Sequence, residues 1–153
     1  MRLAPAVAIP LLVTLACSSG EKAAADSAAA SPAVAAMSAA LTDADVAGTW
    51  AGTAKAEGSD SVFVHWTQVC GSGACTGTAQ EAPDTVRSTY RIDGDSVVGA
   101  TGAYADPTMG GAKVIDNWVL RIAQGKLTGH GRYVLAEKPD SVVMRYTFEG
   151  ARK

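Results

Sequence analysis

The side chains best suited to chemistry in this sequence are two cysteines, Cys70 and Cys75, separated by Gly-Ser-Gly-Ala. A pair this close can form a disulfide, or it can supply two thiolate ligands to a zinc ion. A structural zinc site takes its remaining ligands from a second tight pair, whereas His65 and His130 are single and far apart in the sequence. The spacing therefore favours a Cys70–Cys75 disulfide and predicts no metal site.

The other polar residues show no catalytic constellation. A nucleophile elbow with acid and histidine partners in hydrolase order is absent from the sequence. Asp93 and Asp95 flank Gly94 and have the pattern of a turn rather than of a paired general acid and base. Asp116 differs because it interrupts an apolar strand face, so it is either a buried functional carboxylate or a residue near a strand end that reaches water. We predict no catalytic residue, no cofactor and no enzymatic activity.

One connection between the predicted strands, residues 105–112, is longer than the others and reads Ala-Asp-Pro-Thr-Met-Gly-Gly-Ala. It is polar and rich in glycine, and we expect it to be mobile, with Met109 exposed. Because loops on rigid scaffolds often carry function, Asp106, Thr108 and Met109 form a candidate interaction loop. The alternative is a connection that only crosses the end of the domain.

The elements that would position these residues are short β-strands, because apolar side chains from Trp50 onward recur at every second residue. The turn-and-strand sequence Asp-Ser-Val also recurs, beginning at residues 60, 95 and 140. Together these patterns predict an all-β domain, an eight-stranded antiparallel up-and-down barrel with a two-sheet β-sandwich as the alternative. The predicted strands cover 48–56, 60–69, 74–81, 85–92, 96–104, 113–123, 126–135 and 140–150.

The face that this barrel would bury combines large rings with glycine and alanine. An eight-stranded barrel is just wide enough to be filled by its own side chains or to hold one small ligand. The small residues either open a cavity or leave room for the rings opposite, and six rings are enough to fill so small a core. If a cavity exists, its lining would include Trp50, Trp66, Trp118 and Tyr133.

The first 41 residues contain no aromatic residue and begin with the pattern of an export signal. Arg2 precedes an uncharged apolar run, 3–16, that is too short to cross about 30 Å of hydrocarbon as a helix. Val-Thr-Leu-Ala followed by Cys17 resembles the lipobox of bacterial lipoproteins. That resemblance implies acylation of Cys17 and, with Ser18 next, sorting to the outer membrane. The alternative is an ordinary signal peptide in which Cys17 is incidental.

These features divide the chain into three parts: a signal peptide (1–16), a lipid-anchored flexible Ala/Ser-rich tether (17–41) and a folded domain (42–153). The tether cannot bury enough apolar surface to offset its ordering entropy. The folded domain has eleven Lys and Arg against thirteen Asp and Glu, with no basic run. This balance predicts that it does not bind nucleic acid.

Gly48-Thr49-Trp50, at the start of the first predicted strand, resembles the Gly-x-Trp opening of the calycins, the superfamily of lipocalins and avidins. The resemblance implies that Trp50 closes one end of the barrel and packs under an arginine from the last strand, here Arg145 or Arg152. The biotin-binding constellation of avidins is not found in this sequence.

Two functions remain open from the sequence. The first is an envelope lipoprotein whose barrel binds a small apolar or amphipathic molecule. The second is an interaction or inhibitor-like lipoprotein that acts through its 70–75 and 105–112 loops on a protein partner that the sequence does not identify. In both cases the membrane is contacted through the lipid anchor.

Overall fold

Nine β-strands and two very short helices make up the computed structural model, which describes residues 40–82 and 84–153. Neither helix in this part of the chain is long enough to cross a bilayer. The predicted signal peptide, Cys17 and all but the last two residues of the predicted tether lie outside the described residues. The elements are α1 (Asp43–Val46), β1 (Gly48–Ala56), β2 (Val62–Gly71), β3 (Ala74–Ala79), β4 (Val86–Asp93), β5 (Ser96–Thr101), β6 (Tyr104–Asp106), a 3-10 helix (Pro107–Met109), β7 (Ala112–Ala123), β8 (Lys126–Leu135) and β9 (Lys138–Arg152).

The strands form a closed antiparallel barrel. From β1 to β5 each strand pairs with the next, β5 pairs with β7, and β9 returns from β8 to pair with β1. Eight strands complete this ring and β6 is an extra strand paired with the start of β7. The predicted up-and-down barrel is therefore confirmed, and the alternative two-sheet sandwich is wrong because the ring has no open edge.

The predicted strand 96–104 is divided into β5 and β6. Ala100 is paired with Asn117, whereas Tyr104 is paired with Val114, so one extra residue is inserted between the two pairings. At the break, the backbone N–H of Asp116 donates to the side-chain oxygen of Thr101 at 2.9 Å rather than to a ladder carbonyl. Such an insertion bends a strand, and here it lies at one end of the barrel.

The Cys70–Cys75 disulfide predicted from the sequence is confirmed. The two cysteines are directly opposite each other where β2 turns into β3, and both are buried. Closing so short a loop stabilises the fold by roughly 2 kcal/mol in the chain-entropy description. The carboxylate of Asp43 accepts hydrogen bonds from the Ser72 and Gly73 backbone and from the Tyr90 hydroxyl, which ties α1 to this turn.

Trp50 closes the end of the barrel at which the disulfide turn lies, and its side chain is 1 % exposed. Its indole N–H donates to the carbonyl of Val46 at 2.8 Å. The guanidinium of Arg152 lies 4.7 Å from the centre of the Trp50 ring and donates to the carbonyls of Ala47 and Asp45 at 2.5 and 2.7 Å. Of the two arginines proposed for this position, Arg152 occupies it, and Arg145 lies on the outer surface.

Replacing Arg152 with methionine is expected to lower the free energy of unfolding by about 1–2 kcal/mol. Methionine keeps an apolar side chain over Trp50 but loses the two charge-assisted hydrogen bonds and the cation–π contact. Arg145→Met, on the outer face of the same strand, is the matched control and should change stability by less than about 0.5 kcal/mol. Urea unfolding followed by tryptophan fluorescence measures both, and equal effects would contradict the closing role of Arg152.

Inside the barrel, aromatic rings cover glycines on neighbouring strands. A Cβ added at Gly99 would lie 2.1 Å from the Trp118 ring, and one at Gly129 would lie 2.4 Å from Phe148. Because each ring takes the space of the missing side chain, this part of the interior is filled. This agrees with the interpretation that the glycines leave room for the rings opposite them. The same arrangement joins Gly131 to Tyr146 and both Gly52 and Gly150 to Trp66.

Candidate functional site

The rings do not fill the whole interior, and a cavity of about 160 Å³ remains that Trp50 does not line. It opens to solvent beside Asp84 and Thr108, which are exposed. An engineered apolar cavity of about 150 Å³ is large enough to bind benzene. The apolar part of the lining consists mainly of Ala54, Val64, Trp66, Val86, Trp118, Leu120 and Phe148.

Three of the four residues predicted to line a cavity, Trp66, Trp118 and Tyr133, do line this one. The placement of Trp50 in the lining is wrong, because its ring closes the far end of the barrel between Val46 and Arg152. Tyr146 also lines the cavity and was not among the predicted residues. Its position on the apolar face of the last predicted strand was the signal that could have identified it.

The polar end of the cavity is built around Asp116, which lies well inside β7 rather than near a strand end. The Tyr146 hydroxyl lies 2.8 Å from both carboxylate oxygens and donates to them. Burial raises the pKa of Asp116 to about 7; the nearby charge of Asp106 adds to this rise, and the Tyr146 hydrogen bond opposes it. Asp116 is partly buried, and it lines the cavity rather than reaching water at a strand end.

Three tyrosines surround Asp116, and all three line the cavity. The rings of Tyr133 and Tyr146 are stacked with their centres 5.3 Å apart. Burial raises the pKa of Tyr104, Tyr133 and Tyr146 above the usual phenol value, and the negative charge of Asp116 contributes to each rise. These hydroxyls therefore keep their protons at neutral pH and remain hydrogen-bond donors.

The predicted interaction loop forms part of the cavity rim. Asp106 is 4 % exposed, and its carboxylate accepts hydrogen bonds from the Thr108 backbone at 2.8 Å, the Thr108 hydroxyl at 2.6 Å and the Tyr104 hydroxyl at 3.2 Å. Asp106 and Thr108 line the cavity. The expected exposure of Met109 is wrong, because its side chain is partly buried against the cluster that contains Tyr133. The carboxylate of Asp106 fixes the turn that carries Met109 inward.

The two histidines lie outside this site. His65 is exposed and its Nδ1 lies 2.7 Å from the Glu81 carboxylate, while His130 is exposed on another strand. Both cysteines of the sequence-based zinc alternative are joined in the disulfide. Across residues 40–82 and 84–153, no three His, Cys, Asp or Glu side chains are grouped closely enough to hold a metal ion.

The site is a small cavity with an aromatic wall and an acidic, hydroxyl-rich end. It can enclose one small molecule, bury its apolar part against the rings and hydrogen-bond its polar part at Asp116 and the tyrosines. Comparisons with protein-family models, curated proteins and solved structures gave no match. The function must therefore be argued from this cavity and its lining.

Proposed function

We propose that this protein binds a small amphipathic molecule inside its barrel. The observation that carries the proposal is the cavity of about 160 Å³ with rings on its wall and Asp116 at its polar end. Ligand sites are typically apolar clefts in which a few polar groups fix the orientation of the ligand. The volume limits the ligand to about one ring, or a short chain, with a polar substituent.

The proposed location is the bacterial cell envelope, with Cys17 carrying the lipid. The lipobox-like sequence supports the anchor, and the Cys70–Cys75 disulfide supports export because disulfides persist in oxidising compartments. The small barrel is compatible with a calycin-like fold. Binding rather than catalysis is the activity that we propose, and the cavity with its aromatic lining is the feature that supports it.

The alternative function, binding of a protein through the 70–75 and 105–112 loops, is less well supported. The disulfide turn lies beside Gly48, at the end of the barrel closed by Trp50. The segment 107–109 precedes β7 and lies at the open end. Because the two segments are at opposite ends, one partner surface of ordinary size contacts only one of them.

Calorimetric titration with benzyl alcohol, a neutral one-ring probe, tests the proposal. We expect saturable binding with a dissociation constant in the range of about 0.1–1 mM, consistent with the limited energy that so few atoms supply. Ser88→Phe, which points a ring into the cavity, should weaken binding at least tenfold. Thr89→Phe, on the exposed face of the same strand, is the matched control and should bind normally.

Circular dichroism of both variants would establish that they remain folded. Absence of saturable binding to the wild-type chain, or equal binding by a folded Ser88→Phe variant, would contradict the proposed function.

A further inference from the structure

We propose that the cavity selects small organic cations, primary amines carried on one ring or a short apolar chain, and that the ammonium group binds beside Asp116. This inference rests on the proposed function and specifies the class of ligand. Three separate observations support it: the sign of the charges in the lining, the free hydrogen-bonding capacity of Asp116, and the aromatic rings that line the same cavity.

The charges that line the cavity are all negative. Asp84, Asp106 and Asp116 contribute carboxyl groups, and no Lys, Arg or His is among the described lining residues. Because the protein walls of the cavity have a low dielectric constant, such a lining attracts a cation and repels an anion more strongly than the same charges would in bulk water. A carboxylate or phosphate ligand would have no basic side chain to neutralise it there.

Asp116 has hydrogen-bonding capacity left for a ligand, whereas Asp106 has little. The Asp106 carboxylate already accepts three hydrogen bonds, from Thr108 and Tyr104. Asp116 accepts from a single side chain, the Tyr146 hydroxyl, although an ionised carboxylate has about four acceptor positions. An ammonium group supplies three donors and would fill the positions that face the cavity.

The rings give a second attraction for the same charge. Trp66, Trp118 and Tyr133 line the same cavity as Asp116, and an aromatic ring attracts a cation that lies over its face within about 6 Å of its centre. The same rings bury the apolar part of an amine such as benzylamine. A neutral alcohol of the same shape gains the burial but neither the cation–π contact nor the ion pair.

Binding of an amine should depend on pH, because the ion pair requires ionised Asp116. Its pKa of about 7 means that half of the free protein carries a neutral Asp116 at that pH. The titratable groups that face it are Asp106 and Tyr104 from β6, Tyr133 from β8 and Tyr146 from β9, and the three phenols stay protonated in this range. Below pH 7 the amine affinity should fall by up to about tenfold per pH unit as the carboxyl takes up a proton, until it reaches the affinity of the site with neutral Asp116.

The test compares three probes of one shape, benzylamine, benzyl alcohol and benzoate, by calorimetric titration of the full chain at pH 8. We expect benzylamine to bind at least tenfold more tightly than benzyl alcohol, and benzoate to show no saturable binding. Asp116→Asn should remove the preference for the amine, so that this variant binds benzylamine no more tightly than it binds benzyl alcohol. Asp140→Asn, at an exposed position outside the cavity lining, is the matched control.

The pH profile of the wild-type chain tests the same assignment without a substitution. Benzylamine affinity should fall between pH 7 and pH 5, and benzyl alcohol affinity should not. Equal affinities for the amine and the alcohol at pH 8, or an amine affinity that does not change with pH, would overturn the cation assignment and leave the proposed function standing. Absence of binding by every probe would overturn the proposed function as well.

Discussion

Replacing Gly99 with alanine is expected to lower the free energy of unfolding by about 3 kcal/mol. The added Cβ would lie 2.1 to 2.5 Å from three atoms of the Trp118 ring, closer than real side chains approach. Trp118 is itself 8 % exposed and packed in the core, so its ring cannot move away without disturbing its neighbours. Overpacking a well-filled interior typically costs about 1–3 kcal/mol, and this contact is at the severe end.

Gly102→Ala is the matched control for this prediction. It lies three residues further along the chain, is exposed, and has no atom within 4 Å of an added Cβ. We expect it to change stability by less than about 0.5 kcal/mol, or to raise it slightly by restricting the unfolded chain. Urea unfolding measures both variants, and a wild-type midpoint for Gly99→Ala would show that ring and glycine are not in contact.

Asp116→Asn is expected to make the protein more stable above pH 7, by a few kcal/mol and at most about 4. The pKa of Asp116 rises from 3.8 to about 7 on folding, and each pKa unit corresponds to about 1.4 kcal/mol. Between these values the folded state binds more protons than the unfolded state, so wild-type stability falls as pH rises and levels off above pH 7. Asparagine carries no charge and still accepts a hydrogen bond from Tyr146 through its side-chain oxygen.

Thermal unfolding of the wild-type and Asp116→Asn chains from pH 4 to pH 9 checks this prediction. The two unfolding temperatures should agree near pH 4 and separate steadily up to about pH 7. A constant separation at all pH values would indicate that the substitution acts through packing, and the Asp116 charge would then carry no penalty. A variant that is more stable but binds amine less well would show that the charge is retained for the ligand.

Much of the fold could be predicted from the sequence, because one-sided burial imposes a strict period of two. Residues 48–56 and 126–135 were predicted as strands with the bounds that the structure has. The disulfide was predictable since its two cysteines flank a tight turn. Asp116 could also be identified from the sequence, because it is the one carboxyl on an otherwise apolar strand face.

Other features depend on the register in which neighbouring strands pair, and the alternation of apolar and polar residues does not show that register. Alternation along the strand places Val62 on the same buried face as Val64, but Val62 is 38 % exposed because an extra residue, Phe63, shifts the pairing of β2 with β1. The break at the end of β5 is likewise a one-residue insertion. It turns the segment from Asp106 to Met109 over the cavity. The segment that was expected to be an exposed loop therefore forms part of the cavity rim.

The cavity itself could not be predicted, since its volume is the small difference between the space inside the barrel and the volume of the side chains that fill it. The sequence shows rings and glycines but not which glycine each ring covers. Trp50 illustrates the difficulty: it has the same residue type and strand phase as a cavity-lining ring, yet its indole N–H bonds to Val46 and its ring closes the other end. The signal peptide and the lipid on Cys17 stay predictions, because those residues lie outside the described part of the chain.

The pairing of β1 with β9 has a consequence for how the chain folds. Trp50 pairs with Arg152, about a hundred positions later, whereas the hairpin pairs between consecutive strands join near neighbours in the sequence. Hairpins form within about 1–10 μs, but joining such distant segments requires closing almost the entire folded unit into a loop, with its entropic penalty. Folding is therefore expected on the slow scale of β-rich domains, about milliseconds to seconds. Until that seam forms, β1 and β9 both remain open edges, and this is the stage at which the chain is most exposed to misassembly with other chains.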